Sequence, residues 1–196
     1  MFNTIKEFTT ESGLTLKVVV DSVPSSPRHD DNLGTMVCFH NRYILGDVND
    51  YDLNDYSGWK EMEQAIIKNE NPAILLPLYL YDHSGITIYH TPFSCRWDSV
   101  QVGFLFVSKE TLRKEYSVKR ITKKVKETAM QVLLGELETY DQYIRGYVYG
   151  FVPEDAEGDE IDSCWGFYGD DVTKNGILDN INDEELKSLI LEEEFV

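Results

Sequence analysis

The spacing of apolar residues changes from helical to alternating in the second half of the chain, and this change predicts the fold class. Between residues 132 and 144 apolar side chains recur every three or four positions, and between 147 and 151 they recur at every second position. This sequence of patterns is typical of a helix that leads into a strand. We therefore predict a long helix over 118–144 and a β-hairpin over 146–169. The residues that carry the two patterns are Val132, Leu133, Leu137, Tyr140 and Ile144, then Tyr147, Tyr149 and Phe151.

Shorter patterns predict further strands and helices on both sides of this segment. The predicted strands cover 14–20, 35–39, 43–45, 73–81, 86–90 and 101–107, and the predicted helices cover 57–69, 109–116, 172–180 and 183–195. Ser108 is placed to cap the helix over 109–116. Pro77 lies inside the strand at 73–81, so that strand needs a bulge or an edge position at this point. We predict an α+β fold, with a mainly antiparallel sheet and one long helix packed on it. Residues 1–169 form a single domain, and residues 170–196 form an acidic helical appendage.

Negative charge is concentrated near the end of the chain. The formal net charge is −17, and residues 135–196 hold 18 acidic and 3 basic residues, which is −15 of that total. A hydrophobic fraction of 42% argues against disorder. Phosphate groups bind Lys and Arg, so this balance disfavours nucleic acid as a ligand and favours a basic protein partner. A simpler interpretation is that the acidity only maintains solubility.

Aromatic and acidic residues stand together around the predicted hairpin, and this combination is typical of protein interfaces. The segment 153–162 contains six acidic residues and no basic one. Burial in the core is the alternative explanation for the rings, but it cannot explain the acids. We predict a partner-binding surface formed by Tyr140, Asp141, Glu154, Asp155, Glu157, Asp159, Glu160, Asp162, Trp165, Asp170 and Asp171.

Motifs for catalysis or cofactor binding give little support to an enzyme. Neither a nucleophile elbow nor a phosphate-binding loop occurs, and we predict no cofactor. Asp50, Asp52, Asn54 and Glu61 match the ligand positions of a calcium loop, but the required glycine is replaced by Asp55. An acidic loop that caps the next helix explains the same residues. Four His and three Cys residues lack the two close pairs that are typical of zinc sites.

The cellular compartment is predicted from the cysteines and from the beginning of the chain. Cys38, Cys95 and Cys164 are an odd number of widely spaced thiols, which indicates a reducing environment. The first residues lack a basic start followed by an apolar run, and no window approaches 18 apolar residues. We therefore expect a protein of a reducing cytosol.

Three segments carry a resemblance to a known group of proteins: WDSVQVGFLFVSKETLRKEY, GELETYDQYIRGYVYGFV and DSCWGFYG. Over about residues 73–169 the chain resembles a family of small acidic proteins of phages, plasmids and conjugative elements of Gram-positive bacteria. The resemblance assigns no catalytic residue. It implies an accessory protein of a mobile element that acts in the cytoplasm of the bacterial host, a setting in which small acidic proteins often inhibit host defence nucleases.

These observations lead to three hypotheses. The first is a non-catalytic inhibitor that binds a basic nucleic-acid-handling protein, such as a CRISPR effector or a restriction enzyme, through a DNA-like acidic surface. The second is a module that binds a small ligand, or hydrolyses a nucleotide signal, near His83, His90, Trp97 and Asp98. The third is a structural or regulatory protein that binds another protein of the same mobile element.

Overall fold

A computed structural model describes residues 3–94 and 99–194 and has an α+β fold, as predicted. Two antiparallel sheets of four strands each occur among the described residues. The chain divides into two compact units. Unit 1 comprises Met1–Ser26 and Gln142–Val196, and unit 2 comprises Pro27–Asp141. This division differs from the predicted domain over 1–169, because the beginning and the end of the chain belong to the same unit.

Unit 1 contains a sheet with the strand order β1-β2-β7-β8, followed by two short helices. Strand β2 pairs with β7 over six residues, from Thr15 opposite Glu154 to Val20 opposite Tyr149. The sequence pattern did not predict β1, whose pairing partner is β2. The elements are β1 (Thr4–Thr9), β2 (Thr15–Val20), β7 (Val148–Glu154), β8 (Cys164–Tyr168), α4 (Ile177–Asn180) and α5 (Glu184–Glu194).

The predicted acidic appendage at 170–196 is part of the core of unit 1. Leu186 and Ile190 lie four residues apart on α5, and both are buried in the same cluster as Phe8, Leu16 and Phe151 of the sheet. An apolar stripe of this kind requires a surface to cover it, and the sheet of unit 1 provides that surface. The acids of α5 occupy the other positions of the helix.

Unit 2 contains the second sheet, in the order β3-β6-β4-β5. Among the described residues, strand β5 pairs only with Tyr79–Asp82 of β4. The ladder between β4 and β6 has a register shift after Leu78. Pro77 therefore lies beside the shift and beyond the reach of β5, which agrees with its lack of an N–H donor. The elements are β3 (Thr35–Cys38), α1 (Trp59–Glu70), β4 (Pro72–Asp82), β5 (Ile86–Tyr89), β6 (Ser99–Ser108), α2 (Lys109–Glu115) and α3 (Lys123–Ile144), whose last three residues belong to unit 1.

Three predicted elements differ from the structure. The predicted strand at 43–45 is not formed; Ile44 is fully exposed, and within 43–46 only Gly46 makes a bridge, to Val37. The predicted helix at 172–180 is shorter, because α4 covers only Ile177–Asn180. Helix α3 begins at Lys123 and not at residue 118, because the Thr122 hydroxyl accepts a hydrogen bond from the Val125 N–H and caps the helix. The cap predicted at Ser108 is confirmed, with its hydroxyl accepting from the Thr111 N–H.

A buried ion-pair network holds the first residues of unit 2 together. The Arg28 side chain is 3% exposed, and its guanidinium donates to both carboxylate oxygens of Asp47 at 2.7 and 2.8 Å. It also lies 3.6 Å from Glu136 of α3. Glu136 in turn accepts from the N–H groups of Leu33 and Gly34 at 2.6 and 3.1 Å. The carboxylates in this network are therefore bound by the fold of unit 2.

Candidate functional site

The most concentrated acidic segment of unit 1 is the connection between β7 and β8, residues 154–162, which we call the acidic turn. Its first residue, Glu154, receives both of its hydrogen bonds from the Lys17 ammonium, at 2.6 and 2.5 Å. This bond is the main cause that raises the pKa of Lys17. Glu154 lies opposite Thr15 at the end of the ladder between β2 and β7. Because its carboxylate is bound to Lys17, it is not available to a partner.

Asp155 organises the acidic turn from within. One of its carboxylate oxygens accepts from the N–H groups of Glu157 and Asp159, at 3.1 and 2.9 Å. Its own N–H donates to the Asp159 carbonyl, and the Gly158 N–H donates to the Asp155 carbonyl. Asp residues stabilise turns in this way because their short carboxylate reaches the backbone of the next residues. The turn is thus held by one acid and the backbone.

The remaining acids of the turn are exposed. Asp162 accepts a hydrogen bond from the N–H of its neighbour Ser163, whereas the turn does not use the side chains of Glu157, Asp159 and Glu160 for its hydrogen bonds. Within residues 3–94 and 99–194, no Lys or Arg forms an ion pair with any of these four acids. Four carboxylates therefore face solvent in a segment of six residues.

Two exposed apolar side chains accompany these acids. Ile161 is 58% exposed and lies between Glu160 and Asp162 in the chain. Trp165 on β8 is 39% exposed, and its ring covers Gly150, where an added Cβ would come within 2.4 Å of the ring. Gly150 thus leaves the space in which the indole lies. A fixed aromatic ring near carboxylates is typical of an interface anchor.

A cleft of about 230 Å³ lies beside Ile161 within unit 1. Its apolar lining includes Leu16, Phe151 and Leu186, and Asp162 and Asp183 are the acids at its edge. The sequence analysis missed this cleft, because its walls come from β2, β7 and α5. It gives the acidic turn a neighbouring space that fits an apolar side chain.

Asp170 and Asp171 follow β8 and serve different purposes. Asp170 is exposed. The carboxylate of Asp171 accepts from the Lys174 ammonium and from the Thr173 hydroxyl and N–H. These bonds, first that of Lys174 and then those of Thr173, lower the pKa of Asp171 to about 2. Asp171 therefore organises the connection to α4, whereas Asp170 remains a candidate for partner binding.

Tyr140 and Asp141 belong to unit 2, where the fold accounts for both. Tyr140 is 2% exposed, and its hydroxyl accepts a hydrogen bond from the Gly46 N–H at 2.8 Å. The Asp141 carboxylate accepts from the Thr87 hydroxyl at 2.5 Å and from the Ile88 N–H at 2.8 Å. Both residues stabilise unit 2 and are not part of the exposed surface that we describe for unit 1.

The calcium-like residues are also used by the local fold. Asp52 accepts from the Asn54 N–H, and Glu61 accepts from the N–H and hydroxyl of Ser57. The hydrogen bonds from Ser57 lower the pKa of Glu61. Among the described residues, no group of three His, Cys, Asp or Glu side chains could hold a metal ion. Local hydrogen bonds therefore account for Asp52 and Glu61.

The residues of the small-ligand hypothesis are only partly described. The rings of His83 and His90 lie next to those of Tyr81 and Tyr89, with centroids 6.2 and 4.4 Å apart. Trp97 and Asp98 lie outside the described residues. Neither histidine lines the cleft of unit 1 or either of two cavities that the described residues form in unit 2. The ligand site around these histidines therefore stays a prediction.

Cysteine chemistry receives no support from the described thiols. Cys38 is buried, and this burial raises the pKa of its thiol far above the usual range. A nucleophilic cysteine requires the thiolate, so a raised pKa disfavours this role.

Among the described helices, none is long and apolar enough to cross a lipid bilayer. No protein-family model, no curated protein and no solved structure matches this chain.

Proposed function

We propose that this protein is a non-catalytic inhibitor, encoded by a mobile element, that binds a basic nucleic-acid-handling protein of the bacterial host through its acidic turn. The partner is a CRISPR effector or a restriction enzyme. One observation carries the proposal: Glu157, Asp159, Glu160 and Asp162 are exposed, and among the described residues none of them has a basic partner.

The acids of the turn have different roles, and this difference supports the proposal. Asp155 and the backbone hold the turn, and Glu154 binds Lys17, so the other acids are not needed to form it. Four carboxylates close together repel one another, which opposes folding slightly. A function that requires them explains why the sequence keeps this charge.

The partner surface follows from the same charges. A groove of Lys and Arg side chains that holds phosphates also attracts a row of carboxylates, so the acidic turn would compete with DNA or RNA for this groove. Ile161 and Trp165 would supply apolar contact beside the charges. Exposed charges act over roughly 8 to 10 Å at physiological salt, and the complex would therefore form fast and weaken as salt rises.

The proposal is tested by plasmid transformation into Gram-positive strains that carry one active CRISPR or restriction system each. Expression of the protein should raise the transformation efficiency of a targeted plasmid in at least one strain. It should not change the efficiency in the matched strain whose defence system is deleted. If no strain of a broad panel responds, the anti-defence function is wrong.

A further inference from the structure

A cavity of about 400 Å³ in unit 2 is a second candidate site. It opens between the loop that follows β3 and the end of α1. The buried side chains of Val37 and Phe106 form its apolar base, and the rings of Tyr51 and Tyr56 are among its walls. The two ring centroids are 6.5 Å apart, and the ring planes are inclined by 39°.

The charged side chains around the cavity are all acidic. Asp50 and Glu70 belong to the lining, which contains no Lys, Arg or His. In the ranges that the structure describes, neither carboxylate forms an ion pair with a basic residue. An anionic ligand such as a nucleotide is disfavoured in such a cavity, whereas a cation is favoured.

Hydrogen bonds hold the loop in place around the cavity. The Tyr51 hydroxyl donates to Glu70 at 3.0 Å, and the Tyr51 N–H donates to the Asn49 side chain at 3.1 Å. Burial and the bond to Glu70 raise the pKa of Tyr51 to about 12, so its hydroxyl remains a donor at neutral pH. Glu70 is thereby fixed at the end of α1 and can accept further hydrogen bonds from a ligand.

We propose that this cavity binds an organic cation that carries an alkylguanidinium or alkylammonium group. The charged head would lie near Glu70 and the two tyrosine rings. The alkyl chain would lie over Val37 and Phe106. Aromatic faces attract cations, and a guanidinium forms strong hydrogen bonds with a carboxylate. The apolar base offers contact to methylene groups. This site lies in unit 2 and is independent of the acidic turn.

The test compares butylguanidinium with butylurea, a neutral molecule of nearly the same shape, by titration into the ¹⁵N-labelled protein. Butylguanidinium should bind at one site, with NMR shifts centred on Tyr51, Tyr56 and Glu70. Its Kd should be at least about tenfold lower than that of butylurea, because only the cation forms charge-assisted bonds. Equal affinity, or shifts centred elsewhere on the acidic surface, would overturn the proposal.

Variants separate this site from general attraction to a negative protein. Glu70→Gln should raise the Kd of butylguanidinium by about tenfold, whereas Glu63→Gln, on the same helix but outside the cavity, should change it by less than about twofold. Asp50→Asn is the second variant. Asp50 is exposed, so the change should have little effect on stability, and it should also weaken the binding of butylguanidinium. Unchanged affinity in both cavity variants would contradict the proposal.

A further pair of probes distinguishes two sources of the same chemistry. Butylguanidinium represents a small free cation, and N-acetyl-arginine methylamide, which carries the same single charge, represents an arginine of a protein chain. A lower Kd for butylguanidinium supports a small organic cation as the ligand. A lower Kd for the capped arginine overturns this assignment in favour of a protein ligand.

Discussion

Two groups of carboxylates, one in each unit, have opposite surroundings. In unit 2, Asp47 and Glu136 are bound by Arg28 and by backbone N–H groups, and Asp141 accepts two hydrogen bonds from β5. In unit 1, the acidic turn is formed by Asp155 and the backbone, while Glu157 and Glu160 face solvent. The hydrogen-bond partners of a carboxylate therefore separate the acids that stabilise the fold from those that are available to a partner.

The largest effect is expected when a buried acid loses its cation. Arg28→Met leaves Asp47 and Glu136 without their guanidinium and should lower the free energy of unfolding by about 3–5 kcal/mol. The matched control is Arg42→Met, because the Arg42–Asp82 ion pair is exposed and should contribute less than about 1 kcal/mol. Urea denaturation measures both. Similar losses in the two variants would contradict the distinction between buried and exposed pairs.

A smaller effect is expected at Asp141. The Asp141→Ala variant leaves the Ile88 N–H without its acceptor, and it should lower the free energy of unfolding by about 1–3 kcal/mol. Thermal and urea unfolding should agree on this loss. If the variant were as stable as the wild type and instead bound the defence partner less tightly, Asp141 would belong to the binding surface after all.

Asp171 gives a pH-dependent prediction within unit 1. Its pKa is about 2 in the folded protein and roughly 3.9 in the unfolded chain, so its ionised form stabilises the fold above about pH 4. The wild type should therefore be more stable than Asp171→Asn at neutral pH, and this advantage should disappear as the pH falls towards 2. The side chain is 33% exposed, so solvent reduces the effect. An advantage that persisted at pH 2 would contradict the prediction.

The smallest effect on stability is expected in the acidic turn. Replacing Glu157, Asp159, Glu160 and Asp162 individually by Lys should change the free energy of unfolding by no more than about 0.5 kcal/mol each. Relief of repulsion among the carboxylates even favours a slight gain. Losses above about 1 kcal/mol at these positions would show that the fold needs these acids. They would then resemble the fold-stabilising acids of unit 2.

The sequence predicted what depends on neighbouring residues. The hairpin of β7 and β8 and the cap at Ser108 were predictable, because turn residues and capping residues act over a few positions. The role of Tyr140 was not, since its partner Gly46 is far away in the chain. The division into two units likewise depends on the pairing of distant segments, since β2 pairs with β7. The acids of the turn were found from composition, but only the structure separates Asp155 from its exposed neighbours.

The most direct test uses two variants with the same charge. One carries Lys at Glu157, Asp159, Glu160 and Asp162, and the control carries Lys at the exposed acids Asp31, Asp55, Glu110 and Glu138 of unit 2. Four reversals, each adding two charges, take the formal net charge from −17 to −9 in both. Circular dichroism verifies that both are folded.

The measurement is the displacement of a fluorescent nucleic acid from the purified defence protein that transformation identifies. We predict that the turn variant displaces it at least about 100-fold less effectively than the wild type, while the control stays within about threefold. Raising the salt concentration should weaken displacement by the wild type. Equal loss in both variants, or full displacement by the turn variant, would contradict a specific role of the acidic turn.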